Sequence, residues 1–288
     1  MRDGKFSQNN TVPPTETSVF SLFSLRGRTA IVSGAGAGIG LAVAQALAEA
    51  GANVAIWYNS NAAAVAEAKE IEEKYNVKCR AYKVNVTNAD EVENAVLEQV
   101  KEFNGRLDVF VANAGIPWTQ GPVIEGSLVH YREVMSINTD GVFYCARAAG
   151  RVWKRQSTEG TDAFGKKLEN YNKGSFIATS SMSGHIVNIP MVQTAYNSSK
   201  AAVSHMCKSL AVEWITYARA NAISPGYIET KYSKTVPKET MDTLRTKIPM
   251  GREGLPHELK GAYLYFASDA SSYTTGADLI TDGGYSLP

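Results

Sequence analysis

The chain has 288 residues, 44% of them hydrophobic, and its 29 lysines and arginines nearly balance its 28 aspartates and glutamates. This length permits one substantial hydrophobic core, and the near-zero net charge provides no field that would attract nucleic acid or an anionic membrane. No stretch contains the roughly 20 consecutive apolar residues of a membrane span, so the expected partner is a small molecule.

The first 24 residues contain no predicted helix or strand. They open with the polar run MRDGKFSQNN and include Pro13 and Pro14, a composition typical of a flexible tail. They also lack the apolar segment of a secretory signal. The three cysteines farther along, at positions 79, 145 and 207, are odd in number and lack metal-ligand spacing. We therefore expect reduced thiols, no metal site and a cytoplasmic location.

From residue 25 onward, short β-rich runs alternate with helical ones. Strands are predicted at TAIVS (29–33), NVAIWY (53–58), CRAYKVNV (79–86), LDVFVANAG (107–115), SFIATSS (175–181), ARANAISPG (218–226) and ADLITDGG (277–284). Helices are predicted at 39–50, up to about 75, and at about 90–103, 130–156 and 196–217. This alternation implies parallel strands joined by right-handed crossovers. The predicted fold class is α/β: one Rossmann-like, doubly wound domain over residues 25–288, with a parallel seven-stranded sheet flanked by helices on both faces.

Two segments interrupt this regular alternation. RQSTEGTDAFGKKLENYNKG (155–174) is polar and lies where a short connection would suffice, so we interpret it as a surface insertion. A functional lid is the alternative. The stretch 229–250 contains Pro237 and several lysines and threonines, and it is predicted to be a mobile substrate loop. An ordinary surface helix and turn is equally compatible with that stretch.

A glycine-rich turn, SGAGAGIG, follows the first predicted strand directly. It places Gly34, Gly36, Gly38 and Gly40 before the first long helix. Glycine lets the main chain approach a pyrophosphate, and the first amides of the helix hold its charge. The spacing is G-x-x-x-G-x-G rather than G-x-G-x-x-G. The turn therefore predicts a dinucleotide site through its context, strand then helix, more than through its spacing.

The choice between NAD and NADP depends on the end of the second strand. A carboxylate there would hold the free ribose hydroxyl of NAD, but no acidic residue occurs between positions 50 and 66. NADPH is therefore the predicted cofactor. Because no lysine or arginine occurs between positions 29 and 68, Tyr58, Asn59, Ser60 and the next helix start are expected to hold the phosphate by hydrogen bonds. Residues 59–61 could equally be plain helix-capping residues.

Tyr196 and Lys200 are four residues apart on a predicted helix, so they share one face. A neighbouring cation favours the ionised form of a phenol, whose unperturbed pKa is about 10. The pair is therefore a candidate general acid or base. On an exposed helix face the same spacing would have no catalytic significance. The interpretation of the pair therefore depends on the motifs around it.

Seven motifs in order give the chain a resemblance to the short-chain dehydrogenase/reductase family over residues 25–288. They are the glycine turn, VANAG (111–115), SINTDGVFYCA (136–146), SSMSG (180–184), YNSSK (196–200), NAISPGYIET (221–230) and TGADLITDGGY (275–285). The last two motifs, with WYNS (57–60) and VANAGIPWTQGP (111–122), look most like a fungal branch. That branch includes NADP-dependent mannitol dehydrogenases, sorbose reductases and carbonyl reductases.

The resemblance implies a catalytic role for each residue of one set. Tyr196 would protonate the carbonyl oxygen of a ketone, and Lys200 would lower the pKa of Tyr196 and hold the nicotinamide ribose. Asn138 would anchor a water that relays protons to Lys200. A serine would hydrogen-bond the carbonyl. The further cofactor contacts that the resemblance implies are Ile39, Asn85, Val86, Asn113, Ala114, Gly115, Pro225, Gly226, Ile228 and Thr230.

Two serines are candidates for the catalytic serine. The spacing usual in the family, thirteen residues before the tyrosine, selects Ser183, whereas the S-x-x-G anchor at the strand end selects Ser181. A strand end fixes a side chain more rigidly than a loop that absorbs insertions. We therefore predict Ser181, with Ser183 as the rival.

The substrate wall is predicted near the catalytic strand ends. Its expected members are Trp118, Val187, Asn188, Ile189, Met191 and Tyr227, although each could equally be core packing. The resemblance implies reduction of a ketone to a secondary alcohol, with a ketose and its polyol as the expected pair: fructose with mannitol, or sorbose with sorbitol. The alternatives are a ketoreductase for apolar or aromatic ketones and a non-catalytic protein that senses NADP(H). The helices at 130–156 and 196–217 resemble subunit-pairing helices of the family, which implies a homotetramer.

Overall fold

Seven parallel strands form one sheet in the computed structural model, which describes residues 5–7, 9–231 and 233–287. The strands are β1 (Thr29–Val32), β2 (Asn53–Tyr58), β3 (Cys79–Lys83), β4 (Val109–Ala112), β5 (Gly174–Thr179), β6 (Ala218–Pro225) and β7 (Asp278–Thr281). Their order is β3-β2-β1-β4-β5-β6-β7, and every neighbouring pair is parallel. The order reverses beside β1, as in doubly wound folds. The predicted α/β fold class is confirmed.

Helices cover both faces of this sheet. They are α1 (Val19–Leu22), α2 (Gly38–Glu49), α3 (Ala64–Tyr75), α4 (Ala89–Phe103), α5 (Leu128–Met135), α6 (Gly141–Glu159), α7 (Thr194–Glu213), α8 (Lys238–Arg245) and α9 (Lys260–Ala267). Helices α2, α3 and α9 share one hydrophobic core with the sheet, and α4, α6 and α7 share the other. Because both faces are covered, strands β1, β4, β5 and β6 are buried along their whole length.

The structure divides the predicted helix at 130–156 into three parts. Helix α5 ends at Met135, a five-residue π-helical turn covers Ser136–Asp140, and α6 begins at Gly141. Single π turns inside helices accompany functional sites, and this one contains Asn138, which is fully buried. The notable feature of the turn is its π-helical hydrogen bonding, and hydrophobic periodicity over 130–156 predicted one continuous helix instead.

The predicted tail and insertion meet at the amino ends of the strands. Residues 1–4 and 8 of the tail lie outside the described residues. The carbonyl oxygen of Asn10 accepts a hydrogen bond from Lys173 Nζ (3.1 Å), just before β5 begins. Within the insertion 155–174, the first five residues complete α6, and the amide of Ala163 donates to the carbonyl of Gly105 (2.7 Å) below β4. This position is opposite the carboxyl edge of the sheet and gives no support to the lid alternative.

The segment 229–250, predicted to be a substrate loop, has its own secondary structure. It contains a 3₁₀ turn at Ser233–Thr235 and helix α8; position 232 lies outside the described residues. Met241 and Leu244 of α8 are buried. The segment is therefore a packed helix over the carboxyl edge of the sheet, and its function as a substrate loop stays a prediction.

Candidate active site

A cavity of about 480 Å³ opens at the carboxyl ends of β4, β5 and β6. The carboxyl ends of parallel strands meet at one edge of the sheet, which is where doubly wound folds bind ligands. Gly115 follows β4 in its wall, residues 179–183 begin at the last residue of β5, and residues 225–228 begin at the last residue of β6. Helix α7 contributes Tyr196 and Lys200. The predicted motifs therefore meet at one place although they are far apart in sequence.

Tyr196 and Lys200 lie one helical turn apart on α7. The ammonium nitrogen of Lys200 is 5.7 Å from the centre of the Tyr196 ring, and it donates to the carbonyl oxygen of Thr179 (2.8 Å) at the end of β5. Lys200 is only 3% exposed. Burial lowers the pKa of Lys200 to about 8 because it disfavours the charged form. The site thus holds a cation beside the phenol, the arrangement that favours proton transfer by tyrosine.

The Asn138 side chain forms hydrogen bonds with the loop that follows β4 and with α7. Its Nδ2 donates to the carbonyl of Ile116 (2.9 Å) and to Ser199 Oγ (3.1 Å), and its Oδ1 accepts from the amide of Ile116 (2.8 Å). A methyl group on Gly115 would lie 3.3 Å from Asn138 Oδ1 and 3.4 Å from Lys200 Nζ. A glycine at position 115 therefore leaves free the space next to Asn138 Oδ1 and Lys200 Nζ. The relay through a water anchored by Asn138 stays a prediction.

Three serines follow β5, and they differ in what their hydroxyls bind. Ser180 donates to the carbonyl of Lys200 (2.9 Å) and contacts Ser204 Oγ (2.7 Å), so it joins β5 to α7. Ser181 Oγ accepts from the amide of Ser183 (3.1 Å), which leaves its hydroxyl hydrogen for an acceptor in the cavity. Ser183 Oγ accepts from Gln193 Nε2 (3.1 Å). Both Ser181 and Ser183 line the cavity, so the choice of Ser181 stays a prediction.

The glycine turn has a geometry that suits a bound diphosphate. Gly34 and Gly38 have φ angles of +64° and +58°, which favour glycine. A methyl group on Gly34 would lie 2.8 Å from the Cα of Ala114, so the turns after β1 and β4 touch. Helix α2 has no side-chain cap and no acidic residue in its first turn. Its first amides are thus available to an anion.

Asparagine side chains hold this turn in place. Asn113 Nδ2 donates to the carbonyls of Ser33 and Gly34 (both 3.1 Å), and Asn61 Nδ2 donates to the carbonyl of Gly36 (2.7 Å). On the opposite side, the Thr230 side chain is 3.4 Å from where a methyl group on Gly38 would lie. Ser33 and Asn61 were not among the predicted site residues. Asn61 lay in a run that was equally compatible with helix capping.

The end of β2 lies beside a lysine that sequence analysis missed. Tyr58 is half-buried there, and Asn59 and Ser60 are exposed. In the parallel register Tyr58 is opposite Lys83, an exposed residue at the end of β3. Lys83 forms no ion pair within the residues that the structure describes. No lysine or arginine lies between positions 29 and 68, and strand pairing brings one beside Tyr58 from position 83.

The other predicted cofactor residues lie around the same edge. Asn85 is exposed and its Oδ1 accepts from the amide (3.1 Å) and hydroxyl (2.9 Å) of Thr87, so it stabilises its own turn. Val86 is buried and approaches the backbone of Gly141. The remaining predicted contacts that line the cavity are Ile39, Asn113, Gly115, Pro225, Gly226, Ile228 and Thr230.

Only part of the predicted substrate wall lines this cavity, and the assignment of the wall stays a prediction. Met191 and Tyr227 line the cavity, but Trp118 and Asn188 do not. Trp118 packs against Val134 and Ala195 in a small core, since its indole nitrogen bonds the Gly121 carbonyl (2.7 Å) and holds the ring there. The apolar Val187 and Ile189, also predicted, are 76% and 60% exposed and lie outside the lining.

Hydrogen-bonded polar side chains lie beside the apolar members of the wall. Asn188 is 1% exposed and donates to Tyr227 Oη (3.1 Å). Gln193, which was not predicted, lines the cavity and donates to Asn188 Oδ1 (2.9 Å). Its signal in the sequence was its position three residues before Tyr196, immediately before the helix that carries the candidate acid.

Other kinds of site receive no support within the described ranges. Residues 5–7, 9–231 and 233–287 contain no group of three or more histidines, cysteines, aspartates or glutamates that could hold a metal ion. In the same part of the chain, no helix combines the length and apolarity needed to cross a membrane. Cys79, Cys145 and Cys207 are free and buried.

Comparisons with known proteins agree with this geometry. A sequence-family profile described as enoyl-(acyl carrier protein) reductase matches residues 34–286. The chain is 64% identical over 288 residues to L-xylulose reductase of Hypocrea jecorina, and the match covers all of both chains. It is 48% identical over 278 residues to a probable NADP-dependent mannitol dehydrogenase of Yarrowia lipolytica, covering 96% of this chain and 94% of that one. The solved NADPH-dependent 3-quinuclidinone reductase of Rhodotorula rubra matches with a TM-score of 0.87 and 42% identity, covering 96% of this chain and 98% of the other.

Proposed function

Because the chain belongs to the short-chain dehydrogenase/reductase family, we propose that it is an NADPH-dependent oxidoreductase that converts a ketose into a polyol. The observation that carries this proposal is the meeting of Tyr196, Lys200 and Ser181 in one cavity beside the glycine turn. Similarity to L-xylulose reductase and to an NADP-dependent mannitol dehydrogenase supports a polyhydroxy ketone as the substrate.

The residues at the carboxyl edge of the sheet fit NADPH. The uncapped amides of α2 and the glycine turn would hold the pyrophosphate. Asn59, Ser60 and Lys83 would hold the ribose phosphate, since no carboxylate lies among residues 50–66 to repel it. Lys200 would hold the nicotinamide ribose, and Pro225, Gly226 and Ile228 would line the nicotinamide side of the cavity. NADPH, when bound, supplies the hydride that reduces the carbonyl carbon.

The protein's own groups supply the proton and the orientation. The Ser181 hydroxyl donates a hydrogen bond to the ketone oxygen and stabilises the negative charge that develops there. The Tyr196 hydroxyl gives that oxygen its proton, and the Lys200 cation stabilises the phenolate left behind. Met191 and Tyr227 limit where the substrate can lie. Helix α8 contributes Met241 to the wall, which supports the role of residues 229–250 as a substrate loop.

A panel of ketones tests this function directly. NADPH oxidation is followed with L-xylulose, D-fructose, L-sorbose and an aryl ketone. Preference for the ketoses is the expected result. The second candidate function, reduction of apolar ketones, is favoured by the apolar members of the wall, Met191, Val236 and Met241, and preference for the aryl ketone would establish it. Tight NADPH binding without turnover of any ketone would instead indicate a sensor.

We also propose that the protein is a cytoplasmic homotetramer. Free buried thiols are typical of reducing compartments. Phe143 on α6 and Val212 on α7 are about half-exposed, which suits subunit contacts through these two helices. Sedimentation at micromolar concentration tests the homotetramer, and cell fractionation tests the cytoplasmic location. A monomer, or recovery with an organelle, would contradict them.

A further inference from the structure

A row of hydrogen-bonded side chains runs along one wall of the cavity. Gln193 Nε2 donates to Ser183 Oγ (3.1 Å) and to Asn188 Oδ1 (2.9 Å), and Asn188 Nδ2 donates to Tyr227 Oη (3.1 Å). Ser183 follows β5, Tyr227 follows β6, and Gln193 immediately precedes α7. The row therefore connects the segment after β5 and the start of α7, which carry Ser181, Tyr196 and Lys200, with the segment after β6.

In the structure, the Gln193 amide nitrogen faces this row. Both hydrogens of Nε2 have acceptors, so the carbonyl oxygen Oε1 points the other way. Within the described residues Oε1 has no hydrogen-bond donor, yet it is not among the fully buried unpaired atoms. Gln193 is 9% exposed and lines the cavity. Its Oε1 is thus an oriented acceptor whose accessible side is the cavity.

The geometry points to Gln193 as a specificity-determining residue that accepts a hydrogen bond from a hydroxyl group of the substrate, with Asn188 as a positioning residue. This inference rests on the proposed reduction of a polyhydroxy ketone. A bound substrate excludes water, so a ketone without that hydroxyl leaves Oε1 unpaired. A site built to bind a hydroxyl discriminates against analogues that lack it. The wall therefore selects hydroxylated ketones.

The test compares L-xylulose with butane-2,3-dione, a small ketone without hydroxyl groups whose adjacent carbonyls make it reactive. In Gln193→Met, which removes the acceptor at similar volume, kcat/KM for L-xylulose is expected to fall about tenfold, as loss of one hydrogen bond requires. Most of the fall should be in KM. Turnover of butane-2,3-dione and the Kd for NADPH should stay within about twofold of the wild type.

Asn188→Leu tests the positioning role. It leaves the Gln193 acceptor in place but frees its amide to rotate. We therefore expect the ratio of kcat/KM for L-xylulose to kcat/KM for butane-2,3-dione to fall about threefold. In the double variant the ratio should be no lower than in Gln193→Met alone, because the two residues act through one contact. Additive falls would overturn the positioning role.

Gln45→Met is the matched control, because it makes the same substitution on α2 and Gln45 does not line the cavity. The ratio should not change in this variant. Equal falls for both ketones in Gln193→Met, or no fall, would overturn this inference while leaving the proposed function intact. A wild type that reduces butane-2,3-dione but no ketose would overturn the proposed function, and this inference with it.

Discussion

Lys200 Nζ donates a 2.8 Å hydrogen bond to the carbonyl oxygen of Thr179, and this bond ties the middle of α7 to the end of β5 beneath the cavity. The bond places the ammonium group 5.7 Å from the Tyr196 ring centre, and the Lys200 side chain is almost fully buried there. A buried cation carries a desolvation cost. The proposed role of Tyr196 as the acid gives this cost a function, since a neighbouring positive charge favours the phenolate.

The cost of burying Lys200 should be measurable as a pH-dependent stability. The pKa of Lys200 falls from its usual 10.5 to about 8 on folding, so the unfolded chain binds more protons between these values. Stability then rises with pH in this window. Relative to wild type, the unfolding free energy of Lys200→Met should therefore decline from pH 8 to 10.5, by about 3 kcal/mol. Urea unfolding of the cofactor-free proteins measures this difference, and a constant difference would contradict the assignment.

Tyr196→Phe removes only the hydroxyl that is proposed to supply the proton. We expect NADPH-dependent ketone reduction to fall about 10²- to 10⁴-fold, the usual contribution of a general acid. Fluorescence titration should show NADPH affinity within about twofold of wild type. Tyr75→Phe, at the far end of α3, is the matched control and should keep full activity. Retained activity in Tyr196→Phe would rule out its role as the acid.

The two serine candidates are separated by single substitutions. Ser181→Ala should lower kcat about 10²- to 10³-fold, because it removes a donor to the developing oxyanion. Ser183→Ala should cost less than about tenfold, because this serine accepts its hydrogen bond from Gln193 at the side of the cavity. Steady-state kinetics measures kcat for both variants. A larger loss of kcat in Ser183→Ala than in Ser181→Ala would assign the catalytic role to Ser183.

A carboxylate at the end of β2 should reverse the cofactor preference. Asn59→Asp is nearly isosteric, and its charge would repel the ribose phosphate of NADPH while it could hold the free hydroxyl of NADH. We expect the Kd ratio of NADH to NADPH to fall at least tenfold. Asn76→Asp places the same charge at the opposite end of α3 and should leave the ratio unchanged. Equal ratios in the two variants would show that the phosphate binds elsewhere.

Lys83→Gln tests the cation that strand pairing brings beside Tyr58. Exposed ion pairs contribute up to about 1 kcal/mol, which corresponds to about fivefold in affinity. The Kd for NADPH should rise by about this factor and that for NADH should not change. The effect should shrink at high salt because exposed charges are screened. Lys74→Gln on α3 is the control, and a parallel loss of NADH affinity would refute a phosphate contact.

Local patterns in the sequence were sufficient to predict the α/β class, the seven strands and the glycine turn. Each depends on residues within one element: buried parallel strands form continuous apolar runs, and the turn after β1 needs glycine for its positive φ angles. The four-residue spacing of Tyr196 and Lys200 likewise follows from one helical turn. These features could be recognised because the interactions that create them are close in sequence.

Only the tertiary structure decided which distant residues share the site. Strand register placed Lys83 beside Tyr58. The packing of α7 against the ends of β5 and β6 placed Gln193 in the cavity wall with Asn188 hydrogen-bonded behind it, and Trp118 lies in a small core. The π turn at Asn138 depends on its bonds to Ile116, 22 positions earlier. Such contacts depend on crossover connections and on side-chain packing between elements. Hydrophobic periodicity reports only on the residues of one element, so it cannot predict them.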